Sequence, residues 1–140
     1  MAGYDLAEGR YENRTLSDDE MWSAFCNLFS SHSKNSSSYK YGFLKAIMDN
    51  LYNVDENLTL TFDQLFGTFT EVYWNLVLKH GIRQQPVSER SNGTYLEQAL
   101  NLTAVKYTIT PEIPFESISD EAKIEVCKKV KNKCKVNVVG

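Results

Sequence analysis

Leu58 to Arg83 reads LTLTFDQLFGTFTEVYWNLVLKHGIR, and its periodicity decides the fold class. From Phe62 the apolar residues are Phe62, Leu65, Phe66, Phe69, Val72, Tyr73, Leu76 and Val77, at steps of three, one or four. At about 100° per residue they fill one broad arc, the mark of an amphipathic helix. Thr61 and Gln64 have the spacing of a capping box, and Gly81 stands where a left-handed residue ends a helix. A helix from Phe62 to Lys79 is predicted, with its apolar side wrapped by the two helices that precede it.

Working outward, Ser17-Asp18-Asp19-Glu20 repeats the capping-box spacing and puts acids in a positively polarised first turn. The helix it opens should bury Met21, Trp22, Phe25, Cys26 and Phe29 and stop near Ser30. A polar loop, SHSKNSSS, leads to a second helix from about Ser38 to Tyr52. Phe43, Leu44, Ala46, Ile47, Met48 and Leu51 cover most of its circumference, leaving Lys45 and Asp49 wet, so it should be the most buried of the set. Residues 53–57 form a turn, and Leu58 to Leu60 a short extended piece.

Beyond Gly81, Pro86, Ser91, Asn92 and Gly93 mark a loop, with a short helix at Tyr95 to Leu102. Val105 to Ile109 alternates and predicts a strand, kept extended by Pro111 and Pro114. Ser117 or Ser119 caps a last helix to about Lys133, with Ile118, Ala122, Val126 and Val130 inward. Cys134 to Val139 then alternates like the opening of a second strand. Its partner is either Lys106 to Ile109 or sequence beyond Gly140, in which case the domain is truncated. The expected fold is thus mainly α, four to five helices with a small two-stranded β element near the C-terminus. Residues 1–16 are an arm, and 17–140 a single helical domain.

The chain of 140 residues has a net charge of −3, 42% apolar and 12% aromatic residues, enough for a core but giving no global field for nucleic acid. No apolar run is long enough to cross a membrane, and the first residues have no signal-peptide pattern. Cys26, Cys127 and Cys134 form no CxxC; on one helix Cys127 and Cys134 would stand roughly 10 Å apart, too far for a disulfide. Reduced thiols in a cytoplasmic protein are the plain reading. Asn-x-Ser/Thr recurs at Asn13, Asn35, Asn57, Asn92 and Asn101, which means nothing chemically without export.

Catalytic motifs are missing. His32 and His80 are the two histidines, and the sequence contains no HExxH, GxSxG, GxxxxGK[ST] or GxGxxG. No metal or cofactor is implied. His80 falls near the centre of the apolar arc, as a half-buried histidine favoured by a helix C-terminus. Three features bear on binding. Lys34, Tyr39 and Lys40 flank a helix N-terminus that suits a phosphate, the alternative being a solvated loop with a snorkelling lysine. Lys128, Lys129, Lys131, Lys133 and Lys135 form the one basic cluster, after Asp120, Glu121 and Glu125; matching of the helix dipole competes with a nucleic-acid patch as its explanation. Gly67, Trp74 and Leu78 make a second stripe on the central helix, for packing within the chain or for docking a protein.

The run SSSYKYGFLKAIMDNL followed by LTFDQLFGTFTEVYWNLVLKHGIRQQ resembles the N-terminal helical region of bacterial HNH-endonuclease-like proteins. There a Tyr-Lys helix precedes a Phe-x-x-Leu-Phe…Tyr-Trp-x-Leu-Val helix, and Tyr39 and Lys40 match the opening of the first. The likeness covers roughly residues 17–85, and the histidine–asparagine–histidine site expected downstream is missing from this sequence, so no catalytic residue carries over. It implies a non-catalytic, DNA-associated module of a mobile-element or phage-defence nuclease. The alternative is a small acidic protein that binds another protein, such as a phage-encoded inhibitor or adaptor.

Overall fold

A computed structural model describes residues 15–31, 38–84 and 93–138, of residues 136–138 the backbone alone. Its order is α1 (Asp18–Phe29), α2 (Tyr39–Asp49), α3 (Phe62–Trp74), α4 (Tyr95–Lys106) and α5 (Asp120–Val138). Short 3-10 turns lie at Leu51–Asn53 and Phe115–Ser117, and a π-helical turn, Asn75–Lys79, continues α3. The described residues are all-α, five helices and no strand. The chain divides into two compact units, one running to Asn35 and the other from Ser36 to Val139.

In the first unit Ser17 caps α1, accepting from the Glu20 amide while the Glu20 carboxylate accepts from the Ser17 amide at 2.9 Å. The cap is as expected, but the burial is not. Met21, Trp22, Phe25, Cys26 and Phe29 are all exposed, Trp22 to 71%. No second helix is described in that unit. The arm, residues 1–16, falls outside the described residues but for Thr15 and Leu16.

In the second unit the core gathers around α3. Thr61 and Gln64 make the reciprocal cap, and Leu65, Phe66, Phe69, Thr70, Tyr73 and Trp74 are buried. The helix is wrapped by α2, as expected, and by α5, with α4 against α5 and the π turn. The most buried helix is α3, not α2, which buries only Gly42 and Ala46 and exposes Met48. After α2, the buried Asn50 amide donates to Ala46 O at 2.9 Å and Thr68 Oγ1 at 2.7 Å, pinning the turn to α3. Gly81 has φ +64, and Ile82 N donates to Leu76 O at 2.8 Å, closing the helix end as expected.

Both strand expectations fail. Val105 and Lys106 end α4, and Tyr107 and Thr108 turn, Thr108 with φ 53. Leu96, Ala99, Leu100, Thr103 and Ala104 bury on a helical period against α5, and that tertiary contact overrides the β propensity of the next five residues. Cys134 to Val138 continues α5, because Cys134 extends the buried row Ala122, Val126, Val130 by one more step of four. Ser119 caps this helix, accepting from Ala122 N at 3.3 Å. No helix is long and apolar enough to cross a membrane among the described residues.

Between α4 and α5 the chain is held against the end of α3. Trp74 Nε1 donates to Ile113 O at 3.0 Å, and Phe115 N to Asn75 Oδ1 at 3.0 Å. Phe115 then meets the Trp74 ring edge-on, centroids 6.1 Å apart.

Candidate functional site

A groove of about 700 Å³ runs between α3 and α5. Its α3 wall carries Asp63, Gln64, Gly67, Thr68 and Glu71. Its α5 wall carries Lys123, Ile124, Cys127, Lys128, Lys131 and Asn132, with Phe115 at one end. Gly67 keeps it open: a Cβ there would find no heavy atom within 4 Å. Ile124 lies 70% exposed on α5.

The basic cluster of the sequence is divided by the helix. Lys128 and Lys131 line the groove, joined by Lys123, which sequence reasoning passed over. Lys131 pairs with Asp63 at 2.5 Å, and Lys123 reaches Asp120 at 3.6 Å. Among the described residues no ion pair is recorded for Lys128. Lys129 and Lys133 point elsewhere: Lys129 pairs with Glu125 at 2.7 Å, and Lys133 lies over the Tyr95 ring at 5.8 Å. Glu125 also accepts from Lys106 at 2.5 Å and Tyr107 Oη at 2.7 Å. These donors, Lys106 first, hold its carboxyl down at about 2, and bind the end of α4 to α5.

The other predicted contacts fare differently. Lys34 and His32 lie outside the described residues. Tyr39 is half-buried, its ring 6.2 Å from Phe69 and 6.3 Å from Tyr73, and burial raises its hydroxyl above its usual value. Its ring packs against α3, whereas Lys40 is exposed at the second position of α2. Of the proposed docking stripe, Trp74 is 0% exposed and Leu78 is buried, so these two side chains belong to the core and only Gly67 reaches the groove. His80 is exposed rather than half-buried, since each residue of the wider π turn advances less than an α residue and swings it off the apolar arc.

Sequence reasoning also missed a buried clamp on the connection into α4. Glu97 accepts from Gln84 N at 3.0 Å, Thr94 N at 3.0 Å and Arg83 at 3.3 Å. Burial alone would push this carboxyl up; the amides of Gln84 and Thr94, then Arg83, outweigh it and leave it below its usual value. The signal was in the sequence, since Thr94-Tyr95-Leu96-Glu97 spells a capping box. Cys127 is half-buried beside Thr70, and burial pushes its thiol up. Burial raises Cys134 further, to about 11. All three cysteines are free, as expected, and no group of three metal-ligating side chains occurs among the described residues.

No protein-family model, curated protein or solved structure matches the chain.

Proposed function

We propose that this chain is a helical, non-catalytic module of an HNH-endonuclease-like protein and that it contacts DNA phosphates along the α3–α5 groove. The observation that carries the reading is the convergence of Lys123, Lys128 and Lys131 on the α5 wall beside Asn132, with the polar side chains of Gln64 and Thr68 on the facing α3 wall. Ammonium groups ranged along one helix suit backbone phosphates, and amides and hydroxyls suit phosphate and sugar oxygens. The resemblance of residues 17–85 supplies the nuclease context. The net charge of −3 means that affinity would be modest and come from this local patch.

The test is duplex DNA binding as a function of salt. Each phosphate contact releases counterions, so Lys128→Glu with Lys131→Glu should weaken binding and lower the slope of log K against log salt by about 2. Lys45→Glu on α2, which breaks only an exposed pair with Asp49, serves as control. Affinity unchanged by the double substitution removes the groove from the reading. No binding at low salt removes DNA altogether and favours the acidic protein-binding adaptor.

A further inference from the structure

Most polar side chains that line the α3–α5 groove already have partners. Asp63 pairs with Lys131, and Lys123 donates to Glu116 O at 3.1 Å. Gln64 Nε2 donates to Asn53 O at 3.0 Å, and Thr68 Oγ1 accepts from Asn50 at 2.7 Å. Three lining side chains differ. For Glu71, Lys128 and Asn132 no side-chain hydrogen bond or ion pair is recorded among the described residues.

These three are not scattered. Lys128 and Asn132 stand one turn apart on α5, so an ammonium and an amide share one side of the groove. Glu71 belongs to the facing wall, where Asp63, Gly67 and Glu71 follow each other at steps of four along α3. The Cys127 thiol, one residue before Lys128, lies in the field of both carboxylates, so Asp63 and Glu71 both stand near that turn of α5. Between the walls is the bare backbone of Gly67, with no heavy atom where its Cβ would be.

Shape separates two forms of DNA. A duplex is a convex rod whose base edges lie inside its own grooves, and protein elements must protrude to reach them. The α3–α5 groove is concave, and its volume of about 700 Å³ falls in the ~300–1,000 Å³ range of small-ligand pockets. A second backbone would also press against the α3 wall, where Glu71 has no recorded cation to offset it. A single strand has one backbone and leaves the faces and edges of its bases free.

We propose, on the footing of the phosphate reading, that the groove takes single-stranded DNA rather than a duplex, with one base seated over Gly67 and read by Glu71. Lys128 holds the phosphate and Asn132 bonds the sugar oxygens beside it. The base lies between the Gly67 backbone and Ile124, whose side chain is 70% exposed. An ionised Glu71 can only accept, so it selects a base with an exocyclic amino group. Cytosine offers its 4-amino group to a carboxylate; thymine carries an oxygen at that position and sets acceptor against acceptor.

Fluorescence anisotropy at low salt, with labelled oligo-dC and oligo-dT of about twelve nucleotides and a duplex of the same length, tests the assignment. Oligo-dC should bind more tightly than the duplex. It should also bind about fivefold to tenfold more tightly than oligo-dT, as one hydrogen bond to a charged acceptor provides. Glu71→Gln, whose amide can donate to the thymine oxygen, should bring the two oligonucleotides together. Gly67→Leu fills the slot and should weaken oligo-dC several-fold, with helicity by circular dichroism retained because the new side chain enters open space. Equal affinity of the parent for oligo-dC and oligo-dT, a duplex bound more tightly than either, or oligo-dC binding that ignores Gly67→Leu overturns the proposal. If duplex binding then still responds to Lys128→Glu with Lys131→Glu, the phosphate reading survives without it. Absence of all binding at low salt removes both.

Discussion

Two glycines inside helices should respond in opposite directions to the same methyl group. Gly42 is the fourth residue of α2 and Gly67 the sixth of α3, and an interior glycine ordinarily costs a helix about 0.8–1 kcal/mol relative to alanine. At Gly67 a Cβ meets nothing within 4 Å, so Gly67→Ala should recover that amount. At Gly42 the same Cβ would stand 2.4 Å from Tyr73 Cε2, 2.6 Å from its Oη and 2.8 Å from its Cζ. Carbon atoms rest about 3.5–4.0 Å apart, so the ring must withdraw by about 1 Å or more.

Withdrawal is obstructed. Phe69 sits 4.8 Å from the Tyr73 ring and Tyr39 6.3 Å, and the hydroxyl is tied to Ser38, donating to its carbonyl at 2.7 Å with its Oγ at 2.9 Å. Overpacking of this kind costs about 1–3 kcal/mol, and a lost hydrogen bond about 0.5–1.5 kcal/mol. Set against the propensity gain of about 1 kcal/mol, Gly42→Ala should destabilise by about 2 kcal/mol net. Chemical denaturation of the two variants beside the parent measures both signs. In a Tyr73→Phe background Gly42→Ala should cost less, because the bonds to Ser38 are already gone. A Gly42→Ala protein as stable as its parent, or a Gly67→Ala protein less stable, would refute the packing drawn around Tyr73.

Three further outcomes follow from the titrating groups. Glu125 is held from 4.5 down to about 2 by Lys106, Lys129 and Tyr107, so its contribution is present above the unfolded value and fades as pH falls through that interval. The stability difference between the parent and Glu125→Gln should therefore close towards pH 2, as read by acid titration of the denaturation midpoint; a constant difference would contradict the cluster. Tyr73 is raised by burial from 10.0 to about 12, so its contribution is full below the unfolded value and lost as pH rises through that span. Tyr73→Phe should flatten the alkaline loss of stability in the same measurement. Among the thiols, exposed Cys26 should react first with a disulfide reagent, then half-buried Cys127, then Cys134, which is fully buried and raised to about 11. Labelling followed by peptide mass mapping gives the order, and early modification of Cys134 would place α5 wrongly.

What could be read from the sequence is what local chemistry specifies. Thr61 with Gln64 and Ser17 with Glu20 fix where α3 and α1 begin, and Gly81 fixes an end, because each cap is satisfied within a few residues. What was misread depends on residues far away in sequence. Val105 to Ile109 alternates convincingly, yet a strand needs a neighbour and the neighbour there is α5. The face of α1 has the same helical period as that of α3, and periodicity carries no information about whether a partner exists to cover it. The lysines of α5 show the limit most plainly. As a list they form one cluster; wound at about 100° per residue they diverge, so that Lys128 and Lys131 reach the groove while Lys129 turns to Glu125 and Lys133 to Tyr95.

The groove itself follows from a departure late in α3. Trp74 is fully buried and its indole must find an acceptor, which Ile113 O provides. One residue on, the helix widens into the π turn, and Asn75 accepts from the amide of Phe115. The connection from α4 is thereby tied at two adjacent points to the end of α3, which sets where α5 can begin. With Ser119 capping five residues after Pro114, α5 starts beside the end of α3 and runs back along it, bringing Lys131 to Asp63. Gly67 then lies under a stretch of α5 that carries no side chain filling the space. A π turn is often found where a helix serves function as well as packing. Here it anchors the segment that aims Lys123, Lys128 and Lys131 into one groove, so Asn75→Ala should loosen that wall without emptying the core around Phe66 and Phe69.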